Sequence, residues 1–282
     1  MQQSYDVSGP AELEIRLASG EIEIEAVEGG ATVEVELVAH DEESQQLVDG
    51  ARVELREQHG RPLVVVDVPQ RRAGFNLGSL FGRDGITCRI RMPHESGADV
   101  RTKSADVSVR GTLGGANVQT ASGDVRLEDV TGGLNARSAS GDVTARRVGS
   151  GVNIQTASGD VEIEVARGPV NAATASGDLT IGEAWDSVNA NTVSGDQEHG
   201  AVYQGLVAAH SVSGDVQVGV RRGSKAFLDC NTVSGDTSSE LDMLPDAPSG
   251  DGPLVELRVK TVSGDITITR APAPADTQEV HA

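Results

Sequence analysis

The chain has 282 residues, a formal net charge of −20 and only 2% aromatic residues. The acidic balance argues against binding to nucleic acid or anionic membrane surfaces, which attract basic patches. The scarcity of rings argues against stacking platforms for bases or sugars. Two cysteines, Cys88 and Cys230, are too few for a disulfide framework or a structural zinc site. Because no signal peptide or apolar run of transmembrane length is seen, we expect a cytoplasmic protein.

Residues 1–93 carry the alternating apolar pattern of β-strands, for example at Leu13, Ile15 and Leu17. Residues 41–49 fit a short helix. We interpret residues 1–93 as a β-rich segment that caps the repeats that follow, since an open sheet end invites edge pairing. Residues 17–21 (Leu-Ala-Ser-Gly-Glu) could be an outlying copy of the repeat.

The segment 70–85 is locally basic and holds two of the three phenylalanines of the chain. Apolar anchors flanked by arginine are typical of interface hot spots. The alternative for this segment is a disordered or capping loop. We predict a protein-contact site formed by Arg71, Arg72, Phe75, Leu80, Phe81 and Arg83.

The strongest signal is a repeated Ser-Gly-Asp triplet, preceded by Thr or Ser and then by Ala or Val. The first five complete copies are 18 residues apart, and the later gaps are 19, 21 and 29 residues. A degenerate copy ends at Asp106. The aspartates of the complete copies are Asp124, Asp142, Asp160, Asp178, Asp196, Asp215, Asp236 and Asp265.

Each repeat indicates two strands separated by a bend at Gly-Asp. Apolar residues lie two apart on either side of Gly159 and Asp160, and the phase breaks between them. We expect glycine to supply φ > 0 there and aspartate to hydrogen-bond its own turn. An antiparallel meander would also fit, but its sheet would be unusually wide and lack a covering layer.

We therefore predict an all-β fold: a right-handed parallel β-helix, or β-solenoid, with 18-residue rungs over residues 94–270. Residues 271–282 would be a flexible tail. Asparagines at 18-residue spacing should then stack as a ladder. They are Asn117, Asn135, Asn153, Asn171 and Asn189.

Stacked carboxylates at the bends could bind calcium, which takes oxygen ligands. The chain lacks the Gly-Gly-x-Gly-x-Asp repeat of calcium-binding β-rolls, so a structural turn role is favoured. Glu198 and His199, with His210 one rung later, could bind metal or act as acid and base. We interpret them instead as a degenerate surface rung. The insertion at residues 241–253 is a second loop where binding could occur.

Repeated Thr-Ala-Ser-Gly-Asp-Val after Arg89-Ile90-Arg91-Met92-Pro93, with the loop Leu80-Phe81-Gly82-Arg83, resembles a bacterial domain-of-unknown-function family labelled "putative adhesin". The resemblance covers most of the chain. It implies a single-stranded right-handed β-helix with no known catalytic residues, and some similar proteins are linked to envelope-stress signalling.

Together these features predict a non-catalytic scaffold or protein-interaction module that needs no cofactor. Its role would lie in envelope-related signalling or in self-assembly. The alternative is a carbohydrate-binding or carbohydrate-active β-helix protein, which would need exposed aromatic rows or a cleft of carboxylates.

Overall fold

The computed structural model describes residues 1–70, 85–241 and 252–271, which are almost entirely strands joined by short bends. In chain order the elements are β1 (Gln2–Asp6), β2 (Glu12–Leu17), β3 (Glu21–Val27), β4 (Thr32–Ala39), α1 (Glu42–Asp49), β5 (Arg52–Gln58), β6 (Arg61–Asp67), β7 (Ile86–Pro93), β8 (Gly97–Thr102), β9 (Asp106–Leu113), β10 (Gly115–Gln119), β11 (Val125–Val130), β12 (Leu134–Arg137), β13 (Val143–Val148), β14 (Val152–Thr156), β15 (Val161–Ala166), β16 (Val170–Ser176), β17 (Leu179–Ala184), β18 (Val188–Ser194), β19 (Gln197–Val202), β20 (Gly205–His210), β21 (Val216–Arg221), β22 (Lys225–Ser234), β23 (Thr237–Ser239), β24 (Leu254–Ser263) and β25 (Ile266–Ala271).

These strands form two sheets. Within the described residues, sheet 1 has the order β1-β4-β7-β3-β9-β11-β13-β15-β17-β19-β21-β25-β23. Sheet 2 has the order β22-β24-β20-β18-β16-β14-β12-β10-β8-β2-β6-β5. One strand from each sheet, joined by a bend, makes one rung. The rungs stack in parallel, so the predicted parallel β-solenoid is confirmed and the antiparallel meander is wrong.

Identical residues stack because the repeat length equals the rung length. Val125 lies opposite Val143, and Asn117 lies opposite Asn135. The Asn135 amide donates to Asn117 Oδ1 at 2.9 Å, and Asn153 repeats this contact one rung later at 3.0 Å. The asparagine ladder predicted from the 18-residue spacing is therefore present along sheet 2.

The core lies between the two sheets and is built from Val, Ile, Leu and Ala. Along most strands of the regular rungs, inward residues are buried and their neighbours are more exposed, as in Val161–Ala166, where Val161 and Ile163 are at most 1% exposed. Small aliphatic side chains suit this narrow space, and Val and Ile also favour extended backbone. This explains how a chain so poor in aromatic residues buries a continuous core.

At both ends of the solenoid, the order of the rungs in space differs from their order in the chain. The rung β2–β3 lies between β6–β7 and β8–β9, although β6 and β7 come later in the chain. At the other end, the rung β24–β25 lies between β20–β21 and β22–β23. The predicted boundary at residue 93 therefore does not separate a cap from the rungs, because β2, β3, β6 and β7 are themselves rungs. Residues 17–21 form the bend between β2 and β3, like the bends of the repeats.

The N-terminal end is covered by antiparallel strands and a helix. β1 pairs with β4, β4 with β7, and β5 with β6. Helix α1 leads from β4 in sheet 1 to β5 in sheet 2, and Asp41 caps it by accepting the Ser44 N–H at 2.6 Å. The Tyr5 hydroxyl donates to the Val53 carbonyl at 2.8 Å and so ties the outer strands of the two sheets together.

The C-terminal end differs, because in the described residues its last strands, β22 and β23, pair in parallel as an ordinary rung and no antiparallel strand covers them. The inward side chains of β22 are only half-buried, and Phe227 on its outward face is 56% exposed. The two ends of the solenoid are thus finished in different ways.

Candidate interaction surface

A ladder of aspartates runs along the Ser-Gly-Asp bends. The Oδ1 of each aspartate except the last, Asp236, accepts the backbone N–H of the aspartate on the next rung, as when Asp160 accepts from Asp178 at 2.8 Å. We expected these carboxylates to bond their own turns, and the structure instead places the contact between rungs. The eight contacts measure 2.7–3.2 Å and join Asp106, Asp124, Asp142, Asp160, Asp178, Asp196, Asp215, Asp265 and Asp236 in that order.

The glycine before the aspartate of each complete copy is required by close rung packing. A Cβ at Gly159 would overlap the carbonyl oxygen of Gly141, and Gly159 does not have a positive φ. The expectation of φ > 0 at Gly159 is therefore wrong, and the crowding between rungs is the reason for glycine. Positive φ values of 151–153° occur instead in the later copies, at Gly195, Gly214, Gly235 and Gly264.

The bends are of two kinds, and the change between them comes one copy before Ala is replaced by Val ahead of Ser-Gly-Asp. In the first three complete copies the glycine N–H donates to a hydroxyl of its own rung, as from Gly159 to Thr156 at 3.0 Å. From the Ala175 copy onward it donates to the next rung, as from Gly177 to the Ser194 carbonyl at 3.1 Å and from Gly195 to the Ser213 carbonyl at 3.0 Å. The backbone before the later bends therefore stays extended, which suits a β-branched valine.

The valines of the later bends form an exposed row, here called the valine stripe. It consists, in spatial order, of Val193 (52% exposed), Val212 (47%), Val262 (50%) and Val233 (79%). Neighbouring rungs lie about 4.8 Å apart, so the stripe is roughly 14 Å long. In the earlier rungs the same position holds Ala121, Ala139, Ala157 and Ala175.

The rung after Asp196 carries polar residues in the core rather than on the surface as predicted. Gln197 and His199 are each 1% exposed and stack between Leu179 and Val216 and between Ile181 and Val218. Burial lowers the pKa of the His199 imidazole to about 4, and neither ring nitrogen has a hydrogen-bond partner among the described residues. His199 is therefore neutral at pH 7.

Glu198 lies on the opposite face of the strand from His199, because successive side chains alternate. Glu198 is exposed and the imidazole is buried, so the two do not share a site. His210 is exposed, and its carbonyl accepts from the Gln197 amide at 2.8 Å. This arrangement does not provide the acid and base pair considered from the sequence.

An aromatic column at the second bend was missed in the sequence. The rings of Trp185 and Tyr203 stack with centroids 3.8 Å apart. Arg167 covers the Trp185 ring at 4.6 Å, and Arg221 covers Tyr203 at 4.1 Å. The 18-residue spacing of Arg167, Trp185 and Tyr203 could have revealed the stack. Because the rings are covered by each other and by guanidinium groups, they offer no free stacking face.

The predicted contact residues Arg71, Arg72, Phe75, Leu80, Phe81 and Arg83 lie outside the described residues, as do residues 242–251 of the second loop. No three His, Cys, Asp or Glu side chains within the described ranges are placed to hold a metal ion together. None of the helical residues in these ranges forms a segment long and apolar enough to cross a membrane.

Similar solved structures come from several bacteria. A protein described as a "putative adhesin" from Bacteroides fragilis is 13% identical over 95% of this chain and 96% of its own, with a TM-score of 0.40. A "putative lipid binding protein" from Parabacteroides distasonis is 13% identical, covers 96% of each chain and has a TM-score of 0.46. A "putative cell adhesion protein" from Clostridium sporogenes is 10% identical over 96% of this chain and 99% of its own, with a TM-score of 0.30.

No curated protein matches the chain. The family model described as Toastrack DUF4097 matches residues 11–269. This match begins just before β2 and ends within β25, so it takes in every rung of the solenoid. The chain therefore belongs to the Toastrack DUF4097 family.

Proposed function

We propose that this chain is a non-catalytic β-solenoid scaffold that binds another protein through the valine stripe. The observation that carries the proposal is the change from Ala to exposed Val at one position of the repeat. Contiguous apolar side chains on a protein surface mark interaction sites. Among the described residues, six of the eight exposed large apolar side chains lie between Val193 and Val262, so the apolar surface is concentrated at this end.

The chemistry beside the stripe defines the partner. Each valine stands three residues before an exposed aspartate of the ladder, as Val193 does before Asp196. A matching surface would carry apolar side chains flanked by Lys or Arg. The proposal is thus a protein partner rather than nucleic acid, with no membrane insertion and no need for calcium or a cofactor. It includes a cytoplasmic location and a role in envelope-related signalling, which cell fractionation would begin to test.

The contacts around the polar residues support a non-catalytic role over the carbohydrate alternative. Glu198 and His199 face opposite sides of their strand. The Trp185 and Tyr203 rings are covered by Arg167 and Arg221 rather than open to a sugar ring.

The test compares three forms of the full chain as bait in an extract of the native cell. The first is wild type, the second carries Val193→Ser, Val212→Ser and Val262→Ser, and the third carries Ala139→Ser, Ala157→Ser and Ala175→Ser at the same position of earlier rungs. We expect proteins retained by wild type and by the alanine control to be lost from the valine variant. Equal retention by all three folded forms would contradict the proposal.

A further inference from the structure

The C-terminal edge strand β22 has the features of a pairing surface. In the described residues it pairs with β24 on one side and with no strand on the other. It is ten residues long and contains no proline. At the other end of the same sheet, β5 carries Arg52, Glu54, Arg56 and Glu57, the charges that natural edge strands use against association.

The inner face of β22 is also incompletely covered. Ala226, Leu228 and Cys230 pack against the core but remain only partly buried. On the outer face, Phe227 is 56% and Val233 is 79% exposed. A further strand beside β22 would bury the inward set, as the inward residues of β24 are buried between β20 and β22. On the outer face it would flank Phe227 and Val233.

The direction of the backbone groups tells which residues such a strand would bond. Lys225 donates its N–H to the Pro253 carbonyl at 2.9 Å, toward β24. Alternate residues of a strand direct their groups to the same side. Ala226, Leu228, Cys230 and Thr232 therefore direct their N–H and C=O groups to the free edge.

We infer that the strand beside β22 is β22 of a second copy of this chain, in antiparallel register about a two-fold axis at Cys230. This inference rests on the proposed scaffold function and names one partner for it. In this register Leu228 lies opposite the second copy's Thr232, and the outward Phe227 lies opposite its Val233. The two most exposed apolar side chains of β22 thus cover each other twice.

Other symmetric registers fit less well. Centring the axis on Asp229 would place two like charges opposite each other, which destabilises a strand pair. Centring it on Leu228 would place Phe227 opposite a charged Asp229 and would leave Val233 uncovered. Symmetric two-fold pairing is also the commonest form of homo-oligomer.

Charge favours self-association at this end although the whole chain is strongly acidic. β22 and β24 carry Lys225, Arg258 and Lys260 against Asp229 and Glu256. The chain as a whole has 23 basic against 43 acidic residues. Two copies meeting at β22 therefore bring together strands whose own charges nearly balance. An axis perpendicular to the sheets would keep both sheets stacked across the junction and leave Val193, Val212 and Val262 free.

The register makes a specific cross-link available. Opposed residues in a hydrogen-bonded antiparallel pair have Cα atoms about 5.5 Å apart, within the range of a disulfide. Oxidation of wild type with copper phenanthroline should therefore give a Cys230–Cys230 dimer on a non-reducing gel. The Cys230→Ser variant should lose this band, because Cys88 is fully buried.

Sedimentation of the full chain at several concentrations tests the pairing itself. We expect a dimer for wild type, and a rise of more than about tenfold in its dissociation constant for Phe227→Asp with Val233→Asp. The control, Leu55→Asp at the opposite end (44% exposed), should leave it unchanged. A wild type that is monomeric throughout, or a dimer without the Cys230 cross-link, would overturn the inference.

The experiments can refute the valine-stripe proposal and the pairing of β22 independently of each other. The Val193→Ser, Val212→Ser and Val262→Ser variant should remain dimeric even where it loses its captured proteins. A monomeric wild type that still binds those proteins through the stripe would refute only the pairing of β22. A dimer whose stripe variant keeps every captured protein would refute only the stripe. If the variant with Phe227→Asp and Val233→Asp melts below wild type, the Cys230 cross-link in wild type still tests the pairing of β22.

Discussion

Asp215 accepts the backbone N–H of Asp265 at 2.7 Å, although fifty residues separate them in the chain. Asp265 in turn accepts from Asp236 at 2.8 Å, so Asp265, from the last copy in the sequence, lies between Asp215 and Asp236 in the ladder. The ladder therefore records the order of rungs in space rather than in sequence. It also explains how closely stacked carboxylates are tolerated, since each one is bonded to a backbone amide of its neighbour.

Replacing Asp160 tests the ladder contact. Asp160→Ala removes the acceptor of the Asp178 N–H and should lower the free energy of unfolding by about 1 kcal/mol. Asp160→Asn keeps a side-chain oxygen at the same place and removes one negative charge. We therefore expect the Asn variant to match or exceed wild type in urea unfolding. Equal loss in both variants would show that the charge, and not the hydrogen bond, matters.

Replacing Gly159 tests the close approach of the rungs. A methyl group at Gly159 would overlap the Gly141 carbonyl, so Gly159→Ala should cost about 1–3 kcal/mol. Gly151 is the control, because a Cβ there would have its nearest neighbour, the Pro169 carbonyl oxygen, at 3.9 Å. Gly151→Ala should be near neutral. Similar melting temperatures for both variants would contradict the packing argument.

His199 should make stability depend on pH. Its pKa is about 4 in the fold against 6.5 in a model peptide, so the unfolded chain takes up a proton first. The stability that the neutral imidazole contributes is present above pH 6.5. It is lost as pH falls toward 4, at about 1.4 kcal/mol per pH unit.

The His199→Leu variant isolates this effect from the many carboxylates. Its stability relative to wild type should increase as the pH is lowered from 7 to 5, measured by urea unfolding at each pH. The control is Ile181→Leu on the neighbouring rung, which changes the packing beside His199 without changing an imidazole and should show no such trend. A constant difference between His199→Leu and wild type across this range would mean that the imidazole is accessible to protons in the fold.

Calcium should have little effect on the fold. Each Oδ1 of the ladder except that of the last aspartate, Asp236, accepts a backbone N–H, so the carboxylates are already engaged. We expect the melting temperature to be the same in a chelator and in millimolar calcium. A large rise with calcium would show that the carboxylates bind metal in preference to the backbone.

Much of the fold could be predicted because residues at a fixed spacing in the sequence occupy the same position on successive rungs. The 18-residue period alone placed Asn117 beside Asn135 and located the bends at Gly-Asp. The same rule would have found the Trp185–Tyr203 stack. It would also have turned Gln197 inward, because Gln197 follows its aspartate as the buried Val161 follows Asp160.

The remaining features depend on contacts that spacing does not encode. The spatial order of the last two rungs depends on which strand each one pairs with. The longer gaps before Asp236 and Asp265 show only that the regular 18-residue winding stops. Likewise, the strands of residues 1–93 look alike in sequence, whether they form rungs or a cap. The contact site predicted at Arg71 to Arg83 lies outside the described residues and stays a prediction.

The order of the last rungs is the claim on which both the valine stripe and the free edge of β22 depend. The direct test is disulfide formation between paired cysteines in a Cys230→Ser background. Val212→Cys with Val262→Cys joins adjacent rungs, about 5 Å apart, and should oxidise to an intramolecular disulfide. Val212→Cys with Val233→Cys joins sequence neighbours two rungs apart, beyond disulfide reach, and should stay reduced. The opposite result would contradict the account.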